Sequence, residues 1–223
     1  EDIRSVRFDG DRGFVVTFKK TDPLFVFDLS DPKNPQTLAE LKIPGFSTYM
    51  HMMDPEHLLT IGYDADDQGS FAWFTGVMLQ IFDVSMPTQP KLMHKEVIGT
   101  RGSSSEALTN HLAFTFFAPK DLLALPMTVC EGGYGGGGYG DQMTFSGLMV
   151  YDATSAAGFK LRGKVPHPVG PDATCSNWWT DASSQVKRSI IMDDYVFSIS
   201  NDLIKANHLN NLSTDLANIS LAD

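Results

Sequence analysis

An all-β chain of four repeated units, each made of four short strands, is the fold class this sequence predicts. Three observations predict it. First, one segment recurs. Phe25-Val-Phe-Asp28-Leu-Ser-Asp-Pro32-Lys-Asn-Pro35 returns as Leu79-Gln-Ile-Phe-Asp83-Val-Ser-Met-Pro87-Thr-Gln-Pro90, and looser copies stand at Leu148-Met-Val-Tyr-Asp152-Ala-Thr and Leu203-Ile-Lys-Ala-Asn207-His-Leu. The Asp/Asn positions 28, 83, 152 and 207 step by 55, 69 and 55 residues, a period that stacked or radially arranged sheets produce. Second, the apolar runs are short, and they stop at Asp, Gly or Pro, whose turn geometry ends strands. Third, no long amphipathic helix is written into the chain. The best candidate, 210–221, opens on Asn-Asn and reads as a turn followed by a strand.

Each unit resolves into four runs. The first gives 3–8, 13–18, 24–29 and 37–43, with Asp9-Gly-Asp-Arg12 turning the first pair and 30–35 the last. The second gives 47–52, 57–62, 76–83 and 92–98, around Asp54-Pro-Glu. The third gives 110–116, 121–127, 145–152 and 159–166, around Ala118-Pro-Lys. The last gives 186–192, 195–200, 203–207 and 216–221. Runs of this length, four to a unit, fit the blades of a β-propeller, with blades near 3–43, 47–98, 110–166 and 186–221 in one domain spanning 1–223. The repeated aspartates Asp28, Asp83 and Asp152 read as turn supports. A carboxylate at a strand end accepts backbone N–H bonds, and a feature present in every unit suits the fold better than it suits a single site.

Arg4-Ser-Val-Arg-Phe-Asp-Gly-Asp-Arg-Gly-Phe-Val-Val-Thr-Phe18, followed by Asp22-Pro-Leu-Phe-Val-Phe-Asp-Leu-Ser-Asp-Pro32, resembles the bacterial secreted β-propeller domain family, a distant relation of WD repeats. Leu41-Lys-Ile-Pro-Gly-Phe-Ser-Thr-Tyr49 and the stretch from Val186-Lys-Arg-Ser189 through Ser198-Ile-Ser200 carry the same likeness. The Asp-x-Ser-x-Pro-x-x-Pro turns are also similar to a short repeat named for its Leu-Val-Ile-Val-Asp run. The resemblance implies a propeller in a secreted or cell-surface setting and transfers no activity. Such domains are longer than this chain. Together with an opening at Glu1-Asp-Ile that reads as the inside of a strand, this makes the chain an expected C-terminal portion, part of a larger propeller or one closed by dimerisation.

Composition excludes some partners. A net charge of −10 over 223 residues, with no Lys/Arg cluster denser than Lys19-Lys20 or Lys187-Arg188, opposes nucleic acid or an anionic membrane. No apolar run approaches the roughly 18 residues of a membrane-spanning helix. Function therefore has to be sought in the connections. Those joining the first and third pairs of runs are short, whereas 63–75, 99–109, 128–144 and 167–185 are long, and long connections carry function more often than short ones. They hold all three tryptophans, Trp73, Trp178 and Trp179, together with Phe71, Phe74, Tyr134 and Tyr139. Aromatics of this kind suit protein, peptide or sugar recognition, or else they pin long loops to the sheet.

Other features are less specific. Glu131-Gly-Gly-Tyr-Gly-Gly-Gly-Gly-Tyr-Gly140 lacks the Gly-Lys-Ser/Thr ending of a phosphate loop and reads as a flexible insertion. Asp64-Ala-Asp-Asp-Gln-Gly69 partly mimics a calcium loop, but Thr75 stands where a closing acid is needed. Calcium is thus the one cofactor suggested, against a default of none. His111, at the expected start of an inner strand, is the candidate titratable residue, with His51, His57 and His167 free to converge on it. Cys130 and Cys175 fit one disulfide or two buried thiols by spacing. The expected topology puts both on the long-connection face, so an exported chain would pair them. The reading is a non-catalytic protein, peptide or carbohydrate binding module, using Trp73, Trp178, Trp179, Tyr134, Tyr139 and His111. The alternative is a hydrolase or metal-assisted enzyme near His111 and Glu106. Apolar runs in the first and last units further suggest a homodimer that completes the propeller.

Overall fold

A computed structural model describes residues 2–18, 22–43, 45–67, 72–133, 138–169, 174–176 and 179–221. The described residues are all-β: sixteen strands, short 3-10 turns, and four antiparallel sheets of four strands. The first sheet runs β1 (Asp2–Asp9), β2 (Arg12–Phe18), β3 (Asp22–Asp28), β4 (Gln36–Ile43). The second is β5 (Phe46–Asp54), β6 (His57–Asp67), β7 (Ala72–Asp83), β8 (Lys91–Ile98). The third is β9 (Thr115–Phe117), β10 (Leu122–Glu131), β11 (Gln142–Thr154), β12 (Gly158–Pro166). The fourth is β13 (Val186–Met192), β14 (Tyr195–Ser200), β15 (Leu203–His208), β16 (Asn211–Ser220). In each sheet spatial order follows chain order, the meander of a propeller blade.

The chain divides into two compact units, Glu1–Val97 and Ile98–Asp223. In the first, Phe14, Val16, Leu24 and Val26 of the first sheet pack with Met50, Leu58, Phe82 and Val84 of the second, all fully or nearly buried. In the second unit, Leu122, Ala124, Leu148, Val150 and Val165 meet Val186, Ile191, Val196, Leu209 and Leu212 in the same way. Phe14 and Val16, two apart on β2, share the inward face of their sheet, and burial on β14 alternates strictly, as a half-buried strand requires.

Each unit also joins its two sheets through the first strands. Ser5 Oγ donates to Ser47 O at 2.9 Å, and Thr115 Oγ1 donates to Ser189 O at 3.1 Å. A cation beside the first turn of one sheet reaches the first turn of the next. Arg12 does so from Asp9 to Pro55 O (2.7 Å), and Lys120 by its ion pair with Asp194. The repeat legible in sequence is therefore repeated in how neighbouring sheets are fastened.

The turn aspartates behave as expected in the two strict copies. Asp28 Oδ1 accepts Ser30 N–H at 2.9 Å, and Asp83 Oδ1 accepts both Ser85 N–H (2.9 Å) and Ser85 Oγ–H (2.5 Å). These bonds hold both carboxyls below the usual carboxylate range. The looser copies differ: Asp152 faces Arg162 at 3.6 Å, and buried Asn207 donates its amide to Leu212 O and Thr214 O.

Three expectations need correction. The run 110–116 is not one strand. Glu106–Leu108 and His111–Ala113 are 3-10 turns capped by Ser105 and Asn110, and the strand begins at Thr115. The connection 63–75 is mostly ladder, β6 and β7 staying paired out to Asp67↔Ala72, and 128–144 is ladder at both ends, β10 and β11 staying paired out to Glu131↔Gln142. Pairing needs backbone rather than apolar side chains, so the acidic composition after Asp64 did not end β6, whereas β10 stops at Glu131, where the glycine-rich run begins. The final strand, finally, begins at Asn211 rather than at 216.

Candidate functional site

The long-connection end of the third sheet gathers the features that bear on function, all within the second unit. The hairpin β10–β11 extends past the body of its sheet, and two other segments close on it. Thr100 N–H donates to Cys130 O at 2.8 Å, and Gly140 N–H donates to Arg101 O at 2.7 Å. Ser104 and Thr128 exchange backbone bonds of 2.8 Å. The Cys130–Cys175 disulfide, with Cα atoms 5.8 Å apart, ties the hairpin to the segment leaving the third sheet. Gly102 has φ +98°, and a Cβ there would stand 1.9 Å from Cys175 O, so the close approach requires glycine. The Arg101 guanidinium lies 4.4 Å from the Tyr139 ring centroid, a cation–π stack at the edge of the cluster.

A pocket of about 210 Å³ lies beside this hairpin, lined by Met143, Thr144, Phe145, Ser146, Pro166, His167 and Val169. Its walls come from β11 and from the chain just past β12, and Met143 is the cross-strand partner of Cys130. His167 N–H donates to Ser146 O at 2.9 Å. Gly147 permits this, because a Cβ at its φ of +152° would meet Val165 O at 2.1 Å and His167 N at 3.0 Å. The His167 ring is buried, and Nε2 shares a 2.6 Å hydrogen bond with buried Ser198 Oγ of β14. Burial, with Lys205 adding repulsion, pushes the imidazole down to about 4, so it is neutral at physiological pH. Among the described residues, His167 Nδ1 and Ser146 Oγ are both buried without a hydrogen-bond partner.

The residues expected from sequence fall in several places. Tyr139 is half-buried in the loop cluster, and Cys130 and Cys175 are bonded. Tyr134, Trp178 and Phe71 lie outside the described residues. Trp179 opens the 3-10 turn Trp179–Asp181, and its side chain is likewise outside the described set. Trp73 sits half-buried on β7 opposite Asp66, in the first unit. Phe74 belongs to an aromatic cluster with Phe18, Phe46 and Tyr63, centroids 5.2–6.5 Å apart, so it pins the extended hairpin to its sheet. His111 is exposed on a 3-10 turn instead of starting an inner strand.

Glu106 is committed to Lys187 at 3.0 Å, and the serines beside it are spent on structure: Ser103 Oγ on Cys130, Ser105 Oγ on Pro126 O. His57 pairs with Asp54 at 2.8 Å in an exposed turn of the first unit. Asp64 lies on β6 rather than in a loop, its carboxylate held by Lys95 (2.6 Å) and Thr75 Oγ1 (3.2 Å). Among the described residues no three His, Cys, Asp or Glu side chains gather as a metal centre would need. In the sequence His167 is only one of three histidines free to converge on His111, and nothing there marks Ser146 or Ser198 as its neighbours. A histidine directly after Pro166, at a strand end, was the available signal.

The chain belongs to the β-propeller domain family, whose profile matches residues 1–212. Two curated relatives are uncharacterised proteins of Archaeoglobus fulgidus and Methanocaldococcus jannaschii. They are 43% and 45% identical over 126 residues, which is 56% of this chain and 19% of each relative. The match thus takes in about a fifth of their length. Among solved structures, cobalt-substituted Synechocystis apocarotenoid oxygenase aligns over 95% of this chain and 46% of its own, at 13% identity and a TM-score of 0.43. The N-terminal domain of Nup159 aligns over 99% of this chain and 60% of its own, at 12% identity and a TM-score of 0.25. Superpositions this loose carry nothing about activity. Among the described residues no helix is long and apolar enough to cross a membrane.

Proposed function

We propose that this chain is a secreted β-propeller module that binds a protein, peptide or glycan without transforming it, through the long-connection end of the third sheet. One observation supports this most: three connections distant in sequence are tied into one cluster by a disulfide, by backbone bonds and by the Arg101–Tyr139 stack. Loops fixed in this way present a surface with little ordering cost, which is what binding loops need. Tyr139 supplies a rigid aromatic with a polar tip. The disulfide also favours an oxidising, extracytoplasmic setting. Catalysis at His111 is the weaker reading, because Glu106 and the neighbouring serines already serve structural partners. A peptide and glycan array probed with the intact chain, with and without calcium, tests the proposal. A ligand whose binding weakens in Tyr139→Ala or on reduction supports it, and ligands indifferent to both changes oppose it.

A second reading has its own support. Exposed apolar side chains mark the first and last sheets: Ile3, Val6 and Phe8 on β1, and Ile190, Met192, Tyr195, Leu216 and Ile219 on the fourth sheet. Surfaces of this kind rarely stay bare, and a two-fold pairing of chains would cover them.

A further inference from the structure

His167 and Ser146 both line one pocket, and each carries a buried polar atom, Nδ1 and Oγ, that has no partner among the described residues. Native proteins leave few such atoms unpaired, and each one calls for an explanation. The neighbouring wall residues Met143, Phe145, Pro166 and Val169 are apolar. The pocket volume of about 210 Å³ equals that of about seven water molecules, less than an ordinary drug-sized site and enough for one side chain. We propose that this pocket receives the primary carboxamide of an asparagine or glutamine side chain from a bound peptide. The inference deepens the proposed binding role and rests on it for the identity of the partner.

The chemistry of the pair selects that group. With His167 Nε2–H donating to Ser198 Oγ, Nδ1 carries a lone pair and Ser146 Oγ–H is free to donate. A carboxamide answers both, its NH2 donating to Nδ1 and its carbonyl accepting from Ser146. With the other tautomer the roles exchange and the carboxamide still fits. A carboxylate has no hydrogen to give to Nδ1 and would bring a further negative charge to an apolar-walled site in a chain already at −10. An ammonium has no acceptor to offer. A sugar ring would bring several hydroxyls into a site whose polar side chains are His167, Ser146 and Thr144, the last already bonded to Val129 O, and would leave the rest unpaired.

The test uses the intact chain with 15N-labelled histidine, the His167 ring signals being assigned from their loss in His167→Gln. Propionamide is titrated as the probe, beside propionate and methyl glucoside. The proposal expects a saturable shift of the His167 ring nitrogens with propionamide, and binding about tenfold or more weaker for the other two. Ser146→Ala should weaken propionamide several-fold. Val169→Trp should abolish it by filling the pocket mouth, and since Val169 is 58% exposed that variant retains the fold. Absence of a saturable shift, equal binding of propionate or methyl glucoside, or undiminished binding in Val169→Trp overturns the proposal. If an array ligand still binds through Tyr139 while propionamide leaves His167 unmoved, the pocket alone is refuted. If propionamide binds while no array ligand depends on Tyr139, the loop-surface reading alone is refuted.

Discussion

At the residue scale the chain contains polar groups of two kinds, and they respond differently to change. Asp28 and Asp83 serve turns, and the pattern Asp-x-Ser made that legible because it repeats. Replacing Asp83 by Ala should lower stability by about 0.5–1.5 kcal/mol, and Asn should restore most of it, since the amide oxygen still accepts from Ser85. Urea unfolding of the two variants checks this, and equal losses would remove the hydrogen bond from the account. Both aspartates are depressed in the folded state, so their contribution is present above the ordinary carboxylate value and is lost as pH falls through the lower one.

His167 has a depressed pKa as well, but as a base its stability effect has a different window. Its folded value of about 4 lies below the ordinary 6.5, so between those values the unfolded chain binds the extra proton. Stability should therefore fall as pH drops from about 6.5 to about 4. Lys205, Asp215 and Asp202 are the charged groups that act on the ring. Denaturant unfolding at pH 7 and pH 4.5 should show a larger loss for the native chain than for His167→Gln. Identical pH dependence would mean the ring is not buried as described. Nothing in the sequence marked Ser146 or Ser198 as its neighbours, because they meet only through cross-strand register and the packing of β12 against the fourth sheet.

At the scale of elements, the strands were legible where alternation and turn residues agree, as in β1–β2 and β13–β14. They were not legible where the ladder runs on through unfavourable composition. Asp66 pairs with Trp73 and Glu131 with Gln142 because neighbouring backbone bonds carry the hairpin outward, whatever the side chains prefer. The segment 110–116 reads as a strand by its apolar content, yet capping by Asn110 closes a 3-10 turn over His111–Ala113 and the strand begins only at Thr115. The disulfide is the device that fixes the extended hairpin of the third sheet. Its cysteines are 45 residues apart, so the paired variant Cys130→Ser/Cys175→Ser should lose about 2–4 kcal/mol, chiefly by freeing the unfolded chain. Unchanged stability with intact binding would show that the staple serves neither fold nor site.

At the scale of the whole molecule, four sheets of the same meander were read directly from the repeat, and the family assignment agrees with them. What each end of a sheet does was less legible, since it depends on which connections meet in space. The apolar residues of the first and last sheets predict self-association. Light scattering should report a species of about twice 24.5 kDa, shifted toward monomer by Phe8→Asp. A monomer over a wide concentration range would contradict this and leave the loop surface unaffected.

The central claim is that ligand binds at the long-connection end of the third sheet. Hydrogen exchange on the chain with its best array ligand tests it most directly. The account predicts slowed exchange within 99–104, 128–133, 138–142 and 174–176, with little change at the opposite turns 118–121, 155–157 and 193–194 of the same unit. Protection confined to those opposite turns, with the disulfide-tied connections unaffected, would contradict it.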